Sequence, residues 1–266
     1  MSDTPYSSDF YNSQSLGSLS SARTVVPLVS RIIQPKSVLD VGCGIGTWLA
    51  AFSEHKVLDF RGIDGDYVDR SKLAIPPERF ESKDLSKPFD LGRRFDLVCS
   101  CEVAEHLPAA SAAGFVRSLV KHAPVVMFSA AVPDQGGTFH INEQWPEYWA
   151  DLFAECGYVA IDCIRPQIWN DPAVEYFYAQ NLFLFVEASV VEQNDFLKSE
   201  RNKTTDGRLA RVHPSIWRAR SDPKNLTLGL LARTLPAQVG RSVRFRMKRI
   251  LGGARSSSML LPAKYR

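Results

Sequence analysis

Apolar and polar stretches alternate in a regular order from about residue 36 to residue 187. Residues 37–41 form a short apolar run that enters a glycine-rich turn, the pattern of a strand feeding a helix. Residues 47–55 read as that helix, with Trp48, Leu49, Ala51 and Phe52 on the buried side. A second strand pattern spans 57–63 and stops at Asp64, and a weaker third spans 79–83. Residues 95–100 are nearly all apolar, as a strand covered on both faces should be. A helix over 110–122 and a fifth strand over 124–131 follow. Residues 144–156 give an amphipathic helix rich in aromatics, closed by Gly157, since glycine tolerates the left-handed conformation at a helix end. Two more strands, 158–164 and 181–187, are joined by a connection too short for much crossover helix, which leaves room for them to pair antiparallel. The alternation predicts an α/β fold, a seven-stranded, mostly parallel sheet with helices on both faces.

Outside that span the pattern changes. Residues 1–22 are polar and Ser-rich, without the apolar stretch of a secretory signal, and read as a flexible leader. The sheet domain is placed at 23–190. Residues 191–266 are expected to be a basic, partly helical C-terminal extension. Within it, 189–222 look irregular, and 224–250 read as one or two basic helices broken near Pro236 and Gly240. No run approaches the length of a membrane span. At 45% hydrophobic and 23% charged residues, the composition is that of an ordinary globular protein. Without a signal or a span, a cytoplasmic location is expected. Cysteines stand at 43, 99, 101, 156 and 163, an odd count without zinc or redox spacing, so buried reduced thiols are expected.

The net charge of +3 hides an uneven distribution. Residues 197–266 carry 17 Lys and Arg against 3 Asp and Glu, whereas 1–196 carry 15 against 26. An acidic body with a basic tail is a stronger clue than the net value.

The glycine-rich turn narrows the chemistry. Glycines let backbone approach a ligand closely, and the helix behind them offers free N–H groups. The spacing is Gly42-x-Gly44-x-Gly46, not the G-x-G-x-x-G of dinucleotide binders. Asp40 ends the strand two residues before Gly42, and no Lys-Ser/Thr follows, so a phosphate-cradling loop is excluded. A cofactor without phosphate and with a cationic amino-acid end suits an acid at that position. The segment Val38-Leu39-Asp40-Val41-Gly42-Cys43-Gly44-Ile45-Gly46-Thr47 resembles motif I of the class I S-adenosylmethionine-dependent methyltransferases. The resemblance covers about residues 20–187 and implies a Rossmann-like fold with S-adenosylmethionine as cofactor. It places Asp40 near the methionine amino group, directly or through water. Gly42, Cys43, Gly44 and Gly46 form the loop against the cofactor. Asp64 would accept hydrogen bonds from the ribose hydroxyls. Asp66 is an alternative there, or a cap for the next helix. Asp84 and Leu85 would meet the adenine, although Asp84 also reads as a turn residue before Ser86-Lys87-Pro88. Glu102-Val103-Ala104-Glu105-His106-Leu107-Pro108 resembles the segment after the fourth strand in small-molecule members, which places Glu102 and His106 toward cofactor and acceptor.

Methyl transfer from a sulfonium needs no acid for its neutral leaving group, but a hydroxyl acceptor must lose a proton. The long loop 133–145 carries two adjacent glycines and closely spaced polar side chains. His140 has the intrinsic pKa of a general base. Glu143 could orient its imidazole or cap the helix beginning near residue 144. No metal-ligand spacing stands out, and no metal site is expected. Trp169, Asp171, Tyr176, Phe177 and Tyr178 could wall an acceptor pocket, since aromatic faces suit sugar rings, or form a lid without substrate contact.

The resemblance thus implies methylation of a hydroxyl or amine on a small molecule or saccharide, in a setting such as cell-surface glycan synthesis. The basic stretch 224–250 could lie on an anionic membrane surface, contact nucleic acid, or dock on the acidic body. A nucleic-acid methyltransferase guided by that tail is a second function, disfavoured by the lack of a base-methylation motif. A non-catalytic membrane or complex adaptor is a third.

Overall fold

The computed structural model describes residues 8–204, 208–222, 235–237, 239–241 and 244. Residues 1–7 of the expected leader and most of the expected basic helix over 224–250 lie outside the described residues.

The chain runs through α1 (Ser8–Ile33), β1 (Ser37–Val41), α2 (Thr47–Glu54), β2 (Asp59–Asp64), β3 (Phe80–Ser82), β4 (Leu97–Cys101), α3 (Ala112–His122), β5 (Val125–Ser129), α4 (Pro146–Ala154), β6 (Tyr158–Ile161), α5 (Arg165–Ile168), α6 (Tyr176–Asn181) and β7 (Phe183–Glu187). Then follow α7 (Ala188–Val191), α8 (Asp195–Lys203) and α9 (Pro214–Ser221). The seven strands lie in the order β3-β2-β1-β4-β5-β7-β6. The pairs from β3 to β5 are parallel, and β7 runs antiparallel to both β5 and β6.

Alternation along the strands sorts the core into two layers. Val38, Leu97, Cys99, Val125, Met127, Leu184 and Val186 face one layer, with Ala22 and Val25 of α1, Trp48 and Phe52 of α2 and Leu197 of α8. Leu39, Val98, Val126, Phe128, Phe183 and Phe185 face the other, with Phe115 and Leu119 of α3 and Trp149 and Phe153 of α4. The stacked pair Phe153–Phe185, with centroids 3.9 Å apart, joins helix to sheet there.

Three expectations differ from the structure. The leader is not separate up to residue 22, because α1 begins at Ser8 and buries Ser21 and Ala22. The stretch 189–222 is not irregular but holds α7, α8 and α9. The boundary at 190 is also too early, since the compact unit extends to Ile216. Leu197 and Leu209 are buried in it, and the Glu147 carboxylate accepts from the amides of Leu209 and Ala210. Sparse apolar spacing concealed these elements: α8 buries Leu197 alone. A second unit, Trp217–Arg266, is mostly outside the described residues.

Candidate active site

The site sits where strands β1, β2 and β4 end, as ligand clefts in open α/β sheets do. Beyond β1, Gly42, Gly44 and Gly46 all take left-handed backbone, with φ of 82°, 52° and 86°. Gly42 also lies so close to Val103 that a side chain there would collide with it. A Cβ on Gly44 would meet nothing within 4 Å, because that position opens on the cleft. The cleft has a volume of about 840 Å³, and its walls include Gly42, Gly44, Asp64, Asp84, Leu85, Glu102, Val103 and His106.

The expected cofactor residues are thus brought together from four chain segments, though not all reach the cleft wall. Cys43 is buried behind the loop, and Gly46 serves as the N-cap of α2, packed on Ile75. Asp40 is buried, with Oδ2 lacking a hydrogen-bond partner. Burial, reinforced by the charge of Asp64, pushes its carboxyl up to about 8. An acid left unpaired in this way suits a cation delivered by a ligand.

Asp64 accepts from the amides of Gly44 (2.7 Å) and Gly65 (2.6 Å) and from the Tyr67 hydroxyl (2.6 Å). Burial raises its pKa, and those donors oppose the rise. A carboxylate offers roughly four acceptor sites, so two ribose hydroxyls there require Tyr67 to give way. Asp66 lines the cleft and is not the cap of the next turn, since Asp69 caps the 3-10 turn Arg70–Lys72. Asp84 also lines the cleft, yet its carboxylate is turned onto Ser86 and Lys87, the turn reading of that residue. These partners hold its carboxyl down at about 2.

Glu102 follows β4 in a left-handed conformation, φ 55°, with its amide anchored on Ser129. Its carboxylate is fixed by Gln135 Nε2 (2.9 Å) and Asn181 Nδ2 (3.1 Å). Gln180 completes this buried amide group by donating to Gln135 and Asn181. Gln180 in turn accepts, at its backbone carbonyl, a bond from the fully buried Arg165. Arg165 forms a bidentate pair with Asp162 at 2.8 and 2.7 Å and covers the Phe183 ring at 3.9 Å. None of Gln135, Asn181, Gln180 or Arg165 was legible as a site residue, because each lies far in sequence from Glu102. The one hint was an arginine and two amides inside otherwise apolar strand and helix borders.

Next to Glu102, Glu105 is wholly buried; its carboxyl lies against that of Glu102 and the amides of Glu105 and Ala131, none in strict hydrogen-bond geometry. Burial, then the neighbouring Glu102 charge, raises its pKa well above the carboxylate range. Its backbone carbonyl accepts from the amides of Ile141 (2.9 Å) and Asn142 (3.0 Å). These two bonds dock the long loop and carry His140 to His106, with rings edge to face at 4.8 Å. The His106 pKa falls to about 4, through burial first and the His140 charge second, while a bond to the Phe139 backbone opposes the fall.

Glu143 does not cap α4, whose N-cap is Trp145. Its carboxylate instead accepts from His140 Nδ1 (2.9 Å) and from the amides of Asp134 and Gly136 (2.8 Å each). Such a carboxylate fixes the imidazole tautomer with the proton on Nδ1. Gly137 permits the approach, since any Cβ there would collide with the His140 ring. One possible ligand atom from each of Glu105, His106 and His140 lies within 4.8 Å of the other two, a grouping the sequence reading did not anticipate. Of the aromatics between the last strands, Tyr178 is buried against Trp48 at 5.2 Å, and its hydroxyl reaches Ser18 of α1. Ser18 also bonds Thr47 at the start of α2. Tyr178 is thus a core and bracing residue, and α1 lies across the end of the glycine loop.

Comparison with known proteins agrees with this architecture. A dTDP-3-amino-3,4,6-trideoxy-alpha-D-glucopyranose N,N-dimethyltransferase of Streptomyces venezuelae is 28% identical over 160 residues, 59% of this chain. The aligned part spans 61% of the length of that curated relative. The solved structure of a sugar N-methyltransferase from Streptoalloteichus superimposes with a TM-score of 0.51 at 20% identity, over 67% of this chain and 91% of the other, which shows the shared fold. A methyltransferase domain family matches residues 19–165, more than half of the sequence, and the chain belongs to that family.

Proposed function

We propose that the protein is an S-adenosylmethionine-dependent methyltransferase whose acceptor is a hydroxyl or amine of a saccharide or similar small molecule. The observation that carries this reading is one cleft lined by Gly42, Gly44, Asp64, Asp84, Leu85, Glu102 and His106 at successive strand ends. The cofactor, when bound, supplies a methyl carbon on a sulfonium sulfur that leaves as a neutral thioether. Gly42 and Gly44 give the ligand close backbone contact, and Asp64 offers acceptors for its ribose. Asp40 presents a buried charge to its amino end, directly or through water. The acceptor belongs at the other end of the cleft, beside His106 and the His140–Glu143 pair, where its proton is removed. The amino-sugar acceptor in the name of the Streptomyces venezuelae relative favours a saccharide.

No helix among the described residues is long and apolar enough to cross a membrane. Contact of 224–250 with an anionic membrane remains part of the proposal, tested by liposome association with and without residues 197–266. Calorimetry with S-adenosylmethionine tests the cofactor, and absence of binding overturns the reading. Deuteriomethyl-labelled cofactor offered with nucleotide-linked sugars, amino sugars and RNA tests the acceptor. The expected mass gain is on the sugars. A gain on RNA alone would replace the saccharide.

A further inference from the structure

The structure assigns a divalent transition-metal site to the Glu105 carboxylate and the His106 and His140 imidazoles, at the acceptor end of the cleft. Three donors of metal-ligating type lie within 4.8 Å of one another, from two segments pinned together by the Ile141 and Asn142 amides on the Glu105 carbonyl. Around an ion with bonds of about 2.1 Å, ligand atoms stand roughly 3–4 Å apart, so side-chain adjustments of about 1 Å close the set.

Each donor has features of a ligand. Glu105 is fully buried with neither carboxylate oxygen in strict hydrogen-bond geometry, its neighbours being the Glu102 carboxyl and the amides of Glu105 and Ala131, and two adjacent buried carboxyls need a cation or a shared proton. His140 gives its Nδ1 proton to Glu143, which leaves Nε2 with a lone pair, the carboxylate–histidine arrangement common behind metal ligands. The atoms Nε2 and Cε1 are about equally near a Cβ placed on Gly137. The ring therefore covers Gly137 with its face, and the in-plane lone pair of Nε2 points elsewhere. One nitrogen of His106 is engaged by the Phe139 backbone, and the other is left to ligate. Glu102 stands beside Glu105, so a dication would balance two adjacent buried carboxylates.

Two imidazoles with one carboxylate suit zinc, cobalt or iron better than magnesium, which prefers an all-oxygen shell. Of the three donors His106 lines the cleft, so an ion held there would adjoin it. The inference rests on the proposed methyl transfer and changes the part played by His140, from free base to ligand. An acceptor hydroxyl bound to the ion loses its proton to solvent more readily. Its oxygen lone pair then forms the bond to the methyl carbon, and the carbon–sulfur electron pair stays on sulfur.

The test is titration of the purified full chain with Co²⁺, followed by visible absorption, with bound zinc measured by mass spectrometry after dialysis. One ion per chain is expected, undisturbed by millimolar Mg²⁺. Glu105→Gln, His106→Ala and His140→Ala should each weaken Co²⁺ binding by about tenfold or more. Should Glu105→Gln fail to fold by circular dichroism, His106→Ala, at the cleft wall, decides. The site is overturned if wild type holds no stoichiometric Co²⁺ or Zn²⁺, or if a His106→Ala/His140→Ala double variant binds as tightly as wild type. Calorimetry with S-adenosylmethionine on the same samples separates the two proposals. Cofactor binding without metal removes only the ion, and metal without cofactor removes the methyltransferase reading.

Discussion

The His106 imidazole meets that of His140 edge to face, with centroids 4.8 Å apart and planes at 86°. The contact joins the turn after β4 to the loop after β5, and two amides on the Glu105 carbonyl hold it in register. His106 lines the same cleft as Gly42 and Gly44, and the contact holds His140 against it.

His140→Ala should lower methyl transfer by about 10²- to 10⁴-fold and leave cofactor affinity within about threefold. Glu143→Gln should have a smaller effect, about tenfold, because the amide still accepts one bond but no longer stabilises the ring as a carboxylate does. Steady-state kinetics and calorimetry on the two variants check this. Unchanged turnover in His140→Ala would remove that residue from the chemistry.

Asp40 should tie cofactor affinity to pH. It faces Asp64 and the thiols of Cys43, Cys99 and Cys101, all in buried surroundings, and its carboxyl sits at about 8 in the free protein. A cationic ligand lowers that value, so binding at pH 7 releases a proton and affinity rises with pH until about 8. The same shift has a consequence for stability. The folded carboxyl binds its proton more tightly than the unfolded one, so this residue's contribution falls as pH rises from about 4 to about 8. Asp40→Asn should therefore raise the apo Tm relative to wild type strongly at pH 8.5 and much less at pH 5, and weaken cofactor binding. Calorimetry in two buffers of different ionisation enthalpy and melting curves at the two pH values read both effects. Equal heats in the two buffers at pH 7 would contradict the linkage.

Alanine at two neighbouring glycines should give two different defects. Gly42→Ala drives a methyl into Val103 at φ 82° and should cost about 2–4 kcal/mol of stability. Gly44→Ala meets no atom within 4 Å, so it should cost only the left-handed backbone strain, about 1–2 kcal/mol. It also puts a methyl into the cleft and should weaken cofactor binding by tenfold or so. Denaturation and binding curves measured side by side would show whether the order is reversed.

Arg165→Met should destabilise the fold by about 3–5 kcal/mol, because it leaves Asp162 buried without its bidentate partner. Arg211, 3.4 Å from Asp162 and half exposed, replaces little of that. Adding Asp162→Asn should restore part of the loss. Urea unfolding of the single and double variants tests this, and a single-variant cost below 1 kcal/mol would contradict it.

The sequence by itself determined the succession of the seven strands, the glycine turn and the acids behind successive strands. These are local properties: strand alternation, a helix period after three glycines, and an acid at a strand end act through neighbours a few residues away. The glycine turn and Asp64 therefore stood where the pattern placed them, and β6 and β7 paired antiparallel as their short connection allowed. Tertiary structure alone decided the acceptor end. Whether Glu143 oriented His140 or capped α4 depended on which polar group lay within 3 Å, and the folded loop selected the imidazole. The link from Arg165 through Gln180 to Glu102 arises only once β4, β5 and α6 are brought side by side. The Glu105–His106–His140 cluster has the same origin. Hydrogen bonds and ligand sets depend on distances across the sheet, which a linear pattern of apolar residues does not encode.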